Sequence, residues 1–297
     1  MTIAYITGAD NNLFANTLML LDSIAAHEPA LELKVCDYGF TASQARFLTE
    51  LGCLLPTPAQ HAGHPHPWYF KAAMVDYVTP LGADELVWID SDIIALKPFR
   101  TALEKLETPM REAGKSVAAC PDASGVTLED FLTDWRGRDA DVDPFDQMLQ
   151  ARGVDRSHPY LNSGVIYCRD LAFAAAWRDL VLQQPVWLLF EQNSFNALAL
   201  EPPGRALVLD TALWNSHGQL LETVLTPEGG ETPYLLHTTS HGKLHVDGDL
   251  RFGVRDRMTS GNLKLFVRDD LRQLQLQHLQ HFLDRHFDLL CDCGVLT

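Results

Sequence analysis

Residues 86–92, LVWIDSD, carry the clearest indication of the fold in this sequence. The stretch consists of four apolar residues followed by two acids that one serine separates. This pattern predicts a buried strand that ends at a pair of carboxylates. Two carboxylates at positions i and i+2 beside a strand end can converge on one hard divalent cation, and Mg²⁺ or Mn²⁺ bound there keeps open positions for phosphate oxygens. Asp90 and Asp92 are therefore candidate metal ligands, although an isolated acid-x-acid triplet is more often a solvated turn.

Composition restricts the classes of protein to which the chain can belong. Its 297 residues, 46% of them hydrophobic, suffice for a large α/β domain with a sizeable core. A formal net charge of −16 argues against a nucleic-acid partner, because phosphate backbones bind positive surfaces. No signal peptide or transmembrane segment is expected from the hydropathy pattern. Six scattered cysteines favour a chain with reduced thiols, so we expect a cytoplasmic protein.

The first 55 residues alternate between strand and helix patterns. Strands are predicted at residues 3–6, 31–36 and 54–55, and helices at residues 13–26 and 42–51. Strands that alternate with helices favour parallel pairing through crossover helices. The N-terminal part therefore has the pattern of a Rossmann-like half.

The remaining elements continue as one fold without an internal repeat. Helices are predicted at residues 69–78, 171–182 and 191–200, and strands at residues 160–167, 208–209 and 232–237. Residues 122–143 are acidic and weakly periodic, which predicts an excursion over one face that acts as a lid. From Lys264 onward, an apolar stripe of leucines and phenylalanines predicts one long helix.

Five motifs occur in an order that resembles the GT-A glycosyltransferases, and family 8 most closely. They are residues 7–12 after the first strand, the acid pair, Asn162-Ser163-Gly164, Glu191-Gln192, and the pair His237 and Lys243. Family 8 contains retaining enzymes that use nucleotide-diphosphate sugars. The resemblance implies an α/β fold of the GT-A, Rossmann-like type with a mixed central sheet over residues 1–250. A C-terminal helical extension, residues 251–297, would pack on it.

The resemblance also implies a metal centre. Asp90, Asp92 and His237 would hold Mn²⁺ or Mg²⁺, with His237 at the end of an apolar strand. In the family pattern His-x-x-Gly-x-x-Lys, His237 and Lys243 keep the spacing here, but Ser240 replaces the glycine. Lys243 would be catalytic as a cation beside the leaving oxygens. A satisfied histidine in a surface turn is the alternative interpretation of His237.

Donor binding is implied for a larger set of residues. The set comprises Thr7, Gly8, Asp10, Asn11, Lys71, Asp90, Ser91, Asn162, Ser163 and Gly164. The alternatives are an ordinary turn with Asp10 or Asn12 as the helix cap, and a solvated charge at Lys71. The family usually stacks the base on a tyrosine where this chain has Leu13.

Glu191 and Gln192 are the catalytic candidates that the resemblance implies beside Lys243. They match the start of the family motif Asp-Gln-x-x-x-Asn, with glutamate in place of aspartate. Glu191 would contact donor or acceptor hydroxyls, and it is the fallback nucleophile or base. Its alternative is an acid that interacts favourably with the dipole of a helix start.

The implied reaction is metal-dependent transfer of a sugar from a nucleotide-diphosphate donor, a UDP-sugar, to a hydroxyl group with retention. A glycan, a lipid or a small molecule would be the acceptor. One alternative is a phosphatase of the haloacid-dehalogenase type with Asp90 as nucleophile, in which Asp269-Asp270 would be the late acid pair. The other is a protein that binds nucleotide sugars without catalysis.

Overall fold

The computed structural model describes residues 2–64, 66–122, 126–217, 231–238 and 251–297, and the backbone of residues 243–246. Its strands are Ile3–Ala9 (β1), Leu33–Asp37 (β2), Leu54–Leu55 (β3), Glu85–Ile89 (β4), Ile93–Ala95 (β5), Val117–Pro121 (β6), Leu161–Cys168 (β7), Ala206–Val208 (β8), Leu235–His237 (β9), Lys243–Val246 (β10), Arg251–Val254 (β11), Arg257–Ser260 (β12) and Leu263–Phe266 (β13). Its α-helices are Phe14–His27 (α1), Ala42–Glu50 (α2), Pro67–Ala72 (α3), Met74–Val78 (α4), Arg100–Glu104 (α5), Glu107–Glu112 (α6), Leu128–Arg136 (α7), Asp143–Ala151 (α8), Leu171–Val181 (α9), Phe190–Ala199 (α10), Thr211–Trp214 (α11), Asp269–Arg285 (α12) and Phe287–Asp292 (α13).

Seven strands form a mixed sheet in the order β3-β2-β1-β4-β7-β6-β8. Strands β1 and β2, β2 and β3, and β6 and β8 pair in parallel, whereas β6 and β7 are antiparallel. All residues of β4 and of β7 are buried, as near-continuous apolar runs in a sheet covered on both faces require. The predicted α/β class with a mixed central sheet is confirmed.

The chain divides into two compact units. The first unit consists of Met1–Ala4, Gln60–Trp88 and Ala102–Thr211, and the second of Tyr5–Ala59, Ile89–Thr101 and Ala212–Thr297. Residues 251–297 thus share a unit with the first loop and with the acid pair. The division into a domain of residues 1–250 and an extension of residues 251–297 stays a prediction.

Helices in both units begin at residues whose side chains cap them. In α2 the Thr41 hydroxyl accepts from the backbone nitrogen of Gln44 at 3.3 Å, and the Gln44 side chain accepts from the nitrogen of Thr41 at 3.0 Å. This reciprocal capping box satisfies two amides that have no partner within the helix. In α9 the Asp170 carboxylate accepts from the backbone nitrogen of Ala172 at 3.0 Å.

Helix α1 carries buried polar side chains that bind other segments of the second unit. The amide group of Asn16 donates to the carbonyl of Lys264 in β13 at 2.8 Å and accepts from its backbone nitrogen at 2.9 Å. The Ser23 hydroxyl accepts from the nitrogen of Ala95 in β5 at 3.0 Å. The Asp22 carboxylate meets two histidines of α12. Helix α1 therefore fixes β5, β13 and α12 by directional bonds in addition to apolar contact.

The helix predicted from Lys264 onward is wrong at its start. Lys264 lies in strand β13, which pairs with β10 in antiparallel fashion, and the helix α12 begins at Asp269. Leu263 and Leu265 are buried on either side of a partly exposed Lys264, which is the period-two alternation of a strand. The helical C-terminal part is present, but strands β11 to β13 precede it. Among the described residues, no helix is both long and apolar enough to cross a bilayer.

Residues 122–143, for which a lid over one face was predicted, contain the helix α7. A capping box of Thr127 and Asp130 starts α7, and the ring of Phe131 stacks on Tyr160 at a centroid distance of 4.0 Å. Residues 123–125 of this segment lie outside the described residues. The helix predicted at residues 69–78 is interrupted at Ala73, where α3 ends and α4 begins.

We expect Asp22→Asn to lower the free energy of unfolding by roughly 2 kcal/mol, because the buried carboxylate accepts from His278 and His281 and an amide cannot serve both donors as well. Burial alone would raise the pKa of Asp22, but the two histidines hold it below its usual value. The ionised form therefore stabilises the fold above the unfolded pKa, and this contribution is lost as the pH falls through the folded pKa.

Urea denaturation across a pH series measures this effect. The difference between the native chain and Asp22→Asn should be full at neutral pH and should shrink at acid pH, below about pH 4. Asp284→Asn, an exposed position on the same helix, is the control and should change stability little. Equal stability of the native chain and Asp22→Asn at neutral pH would contradict the assignment.

Candidate active site

The turn after β4 places the two acids of the LVWIDSD stretch next to a distant histidine. Strand β5 follows the turn directly and pairs in antiparallel fashion with β9, so that Ile93 lies opposite His237. The backbone carbonyl of Asp92 accepts from the nitrogen of Thr238 at 3.0 Å and extends the ladder by one bond. All of these residues belong to the second unit. The register of two short strands thus brings together side chains that are far apart in the sequence.

Asp90, Asp92 and His237 form one cluster whose ligand atoms all lie within 4.8 Å of one another. The Nε2 atom of His237 is 3.2 Å from the nearest oxygen of Asp92 and 3.8 Å from that of Asp90. Asp92 and His237 are buried, whereas the Asp90 side chain is 23% exposed. In the part of the chain that the structure describes, this is the one group of three such side chains with that spacing. Asp90 is therefore the most accessible of the three side chains.

A second contact fixes the ring of His237. Its Nδ1 atom lies 2.8 Å from the side-chain oxygen of Asn215, a buried residue that follows α11. Because that oxygen only accepts, Nδ1 donates to it, and this bond directs Nε2 at the two carboxylates. Two carboxylates and a neutral imidazole are a ligand set that Mn²⁺ or Mg²⁺ accepts. The residues present therefore fit a divalent cation.

Lys264 also reaches this cluster, and the sequence analysis missed it. Its Nζ atom lies 2.9 Å from an oxygen of Asp92. Burial alone would raise the pKa of Asp92, but the charges of Lys264 and His237 outweigh it and hold the pKa well below its usual range. Asp92 in turn raises the pKa of Lys264, to which Asp90 and Asp10 also contribute. The sequence offered one signal for this contact: Lys264 lies between the apolar residues Leu263 and Leu265, as in a strand with one buried face.

The first loop adopts the capped turn that was one interpretation of its sequence. The Asp10 carboxylate accepts from the backbone nitrogen of Asn12 at 2.9 Å and from its side chain at 3.0 Å, and so caps a short 3₁₀ helix. Thr7 and Gly8 are buried in β1. A side chain at Gly8 would collide with the ring of Tyr38, so the glycine is required for packing. Asn11 is exposed, and its backbone nitrogen donates to the carbonyl of Gly39 at 3.3 Å.

Four predicted site residues of the first unit meet in a second cluster. The Nζ atom of Lys71 donates to the Ser163 hydroxyl at 3.0 Å and lies 3.8 Å from a carboxylate oxygen of Glu191. The side-chain oxygen of Gln192 accepts from the backbone nitrogen of Ser163 at 3.1 Å and from its hydroxyl at 3.2 Å. All four are buried. The interpretation of Lys71 as a solvated charge is therefore wrong.

Asn162 and Gly164 flank this cluster on β7. Asn162 donates to the Asp122 carboxylate at 2.7 Å and accepts from the backbone nitrogen of Gly164 at 2.7 Å. Tyr69 and Phe70, which precede Lys71, are buried, and the Tyr69 ring lies 4.8 Å from that of Phe190. The rings of Tyr69 and Phe190 therefore pack against each other beside Lys71 and Glu191 in the sequence.

Two predicted residues receive less support from the described geometry. Ser91, between the two acids, is buried. Lys243 begins strand β10 opposite Phe266, and its side chain lies outside the described residues, as does Ser240. The late acid pair of the phosphatase alternative, Asp269-Asp270, is exposed at the start of α12.

Several solved structures with a similar fold are glycosyltransferases. The galactosyltransferase LgtC, in complex with donor and acceptor sugar analogues, aligns with a TM-score of 0.52 and 16% identity over 82% of this chain and 88% of its own. GlyE of Streptococcus pneumoniae TIGR4 aligns with a TM-score of 0.57 and 16% identity over 97% of this chain and 64% of its own. Mouse xyloside xylosyltransferase 1 aligns with a TM-score of 0.50 and 12% identity over 80% of this chain and 97% of its own.

The chain has the GT-A glycosyltransferase fold. No protein-family model matches the sequence, and no curated protein matches it either. At the identities of these neighbours the likeness is one of fold. The GT-A fold agrees with the prediction from the ordered motifs, and it does not favour the phosphatase alternative.

The contact between Asn215 and His237 can be tested by substitution. We expect Asn215→Leu to weaken Mn²⁺ binding by about 10- to 100-fold, because loss of the acceptor frees the imidazole to rotate and to change its tautomer. Isothermal titration calorimetry with Mn²⁺ alone measures the affinity. Asn215→Asp keeps an acceptor oxygen and should retain the affinity. An Asn215→Leu protein that is folded by circular dichroism and binds Mn²⁺ as the native chain does would show that Asn215 has no such role.

Proposed function

We propose that the protein is a metal-dependent glycosyltransferase that moves a sugar from a UDP-sugar to a hydroxyl acceptor with retention. One observation carries this proposal: within a GT-A fold, two carboxylates and an oriented imidazole from distant segments form a cluster fit for a divalent cation. GT-A transferases generally use nucleotide-sugar donors with a divalent metal. The motif order that resembles family 8 supports retention and uridine as the base.

Asp90, Asp92 and His237 would hold Mn²⁺ or Mg²⁺. When bound, the cation supplies Lewis-acid compensation for the charge that develops on the leaving diphosphate. With Nδ1 donating to Asn215, His237 would offer Nε2 as a neutral nitrogen ligand, so the two carboxylates would provide all of the negative charge of the metal site. Asp90 is the most exposed of the three ligands, and we assign to it the side that faces the donor.

We assign the nucleoside to the first loop. Thr7, Gly8, Asp10 and Asn11 line the end of β1, and Asn11 is the most exposed of them. The cap that Asp10 provides for the following turn holds the loop in one conformation, which lowers the entropy cost of binding. Ser91 completes the donor site between the two acids, and Lys243 would place a cation near the leaving oxygens.

The buried cluster of the first unit is proposed to bind sugar hydroxyls. Lys71, Ser163, Glu191 and Gln192 hold one another by hydrogen bonds and an ion pair, so their polar atoms are already oriented before a ligand arrives. Asn162 and Gly164 contribute a small, polar strand surface beside them. Glu191 is the fallback nucleophile or base.

The acceptor is a glycan, a lipid or a small molecule with a hydroxyl group. LgtC was solved with a sugar analogue as acceptor, and this favours a glycan.

We further propose that residues 1–250 form the catalytic domain and that residues 251–297 extend it. All six cysteines are free, in agreement with the proposed cytoplasmic location.

A thermal-shift panel tests donor binding. Nucleoside diphosphates and their sugars are each added with and without Mn²⁺, and we expect UDP or a UDP-sugar to stabilise the native chain by roughly 2.7 kcal/mol at a hundred times its Kd. Asp90→Asn should remove the part of the shift that depends on Mn²⁺. Asp284→Asn serves as the matched control and should keep the shift. If no nucleotide stabilises the folded chain, the transferase proposal fails.

Binding of a donor without its turnover would favour the non-catalytic alternative. Release of inorganic phosphate from a simple phosphomonoester, in the absence of any donor binding, would favour the phosphatase instead. Hydrolysis of the stabilising nucleotide sugar in the absence of acceptor, followed as release of free sugar, distinguishes these outcomes from the proposed activity.

The role of Gln192 is tested by Gln192→Glu. The new carboxylate keeps an oxygen that can accept from Ser163, so the fold should persist, but the amide donor is lost and a second negative charge lies beside Glu191. We expect donor hydrolysis to slow by about 100-fold, as for loss of one oriented donor. Gln183→Glu, an exposed change in the same unit, should leave the rate unaltered. An unchanged rate in folded Gln192→Glu would exclude Gln192 from the site.

A further inference from the structure

Lys264 occupies a place that apolar packing of its strand does not explain. Its neighbours Leu263 and Leu265 are buried in the core of the second unit, whereas its own side chain crosses to the acid cluster and is 21% exposed. The ammonium group lies 2.9 Å from Asp92, a proposed metal ligand. A cation at that distance competes with a metal ion for the same carboxylate.

Two buried amides hold the backbone of Lys264 in this position. Asn16 bonds both its carbonyl and its nitrogen, at 2.8 and 2.9 Å. Gln275 of α12 donates to the same carbonyl at 3.3 Å and to the Thr238 hydroxyl at 2.8 Å. Since the nitrogen of Thr238 donates to the carbonyl of Asp92, Gln275 connects the lysine strand to the acid turn. The backbone from which the side chain of Lys264 extends is therefore fixed by bonds to two other segments.

The charges around Lys264 indicate how its ammonium group affects the binding of an anionic ligand. The charges of Asp92, Asp90 and Asp10 all raise the pKa of Lys264, so three carboxylates and one ammonium group make up the local group of charges. When a divalent ion is added, the charges of the three carboxylates, the ammonium group and the ion sum to zero. Without the lysine, one negative charge would remain. A neutral group accepts an anionic diphosphate more readily than a negative one does.

We propose that Lys264 is a donor-binding residue that pairs with Asp92 in the metal-free protein and turns to the diphosphate of the donor when a divalent ion takes its place on Asp92. This inference rests on the proposed function and deepens it. The lysine weakens binding of the metal alone and strengthens binding of the diphosphate to the metal-loaded protein. It thereby favours joint binding of metal and donor over binding of the metal by itself.

The test is a pair of affinities measured on Lys264→Met, which keeps the length of the side chain and removes its charge. By calorimetry with Mn²⁺ alone, the variant should bind the metal at least tenfold more tightly than the native chain. With Mn²⁺ saturating, it should bind UDP about tenfold more weakly. A lysine that only supports the fold would weaken both affinities when it is replaced, so the opposite signs identify the proposed role.

Two further variants complete the experiment. Lys264→Arg keeps the charge and should restore UDP binding to within a few-fold of the native value. Lys34→Met removes a lysine of the same unit that pairs with Glu32, and it should change neither affinity. Mn²⁺ affinity of Lys264→Met equal to or weaker than native would overturn the proposal, as would undiminished UDP affinity. Absence of UDP binding in every protein would defeat the proposed function, while the Mn²⁺ comparison would still decide whether Lys264 opposes the metal.

Discussion

The antiparallel pairing of β5 with β9 is the contact on which the acid and histidine cluster depends. The pair involves only three residues of each strand, yet its register sets His237 opposite Ile93 and directly beside the acid turn. A shift by one residue would turn the imidazole to the other face, because side chains alternate along a strand. Main-chain bonds from Thr238 to Asp92 and from Leu96 to Tyr234 extend the pairing at its two ends and fix this register.

Buried amide side chains then convert this register into a defined geometry. Asn215 orients the imidazole, while Asn16 and Gln275 hold the strand that supplies Lys264. Each of these amides is almost fully buried and bonds to groups in another segment. Polar groups removed from water are costly unless they are satisfied, so such a network is stable in essentially one arrangement. These bonds therefore hold the imidazole and the backbone of Lys264 in defined positions.

The two clusters differ in how they hold charge. In the second unit, the carboxylate of Asp92 is balanced by a lysine, and the neighbouring carboxylate of Asp90 is partly exposed. In the first unit, Lys71 and Glu191 are both buried and share their environment with neutral amide and hydroxyl groups. The first arrangement suits exchange of one cation for another. The second suits hydrogen bonds to neutral hydroxyls, whose binding does not change the net charge.

Secondary structure followed from the sequence wherever one pattern extended over enough residues. Helices α1 and α2, strands β1 to β3 and strand β7 lie within a few residues of their predicted bounds, because their apolar periods and caps are local. The C-terminal strands were missed because β13 has only four residues, and its alternation is too short to be distinguished from a turn of the helix that follows. Pairing with β10, which no local pattern reveals, decides between the two.

Motif order and apolar runs are properties of the chain, so the class of the fold and the candidate residues Asp90, Asp92 and His237 could be predicted from them. Which of these side chains meet, how Asn215 orients His237, and that Lys264 joins them became evident only in the folded chain. These are contacts between segments distant in sequence, and they arise only when strands pair in register and a common core fixes their separation. No local preference of a residue encodes such a distance, so the geometry of the cluster required the folded chain.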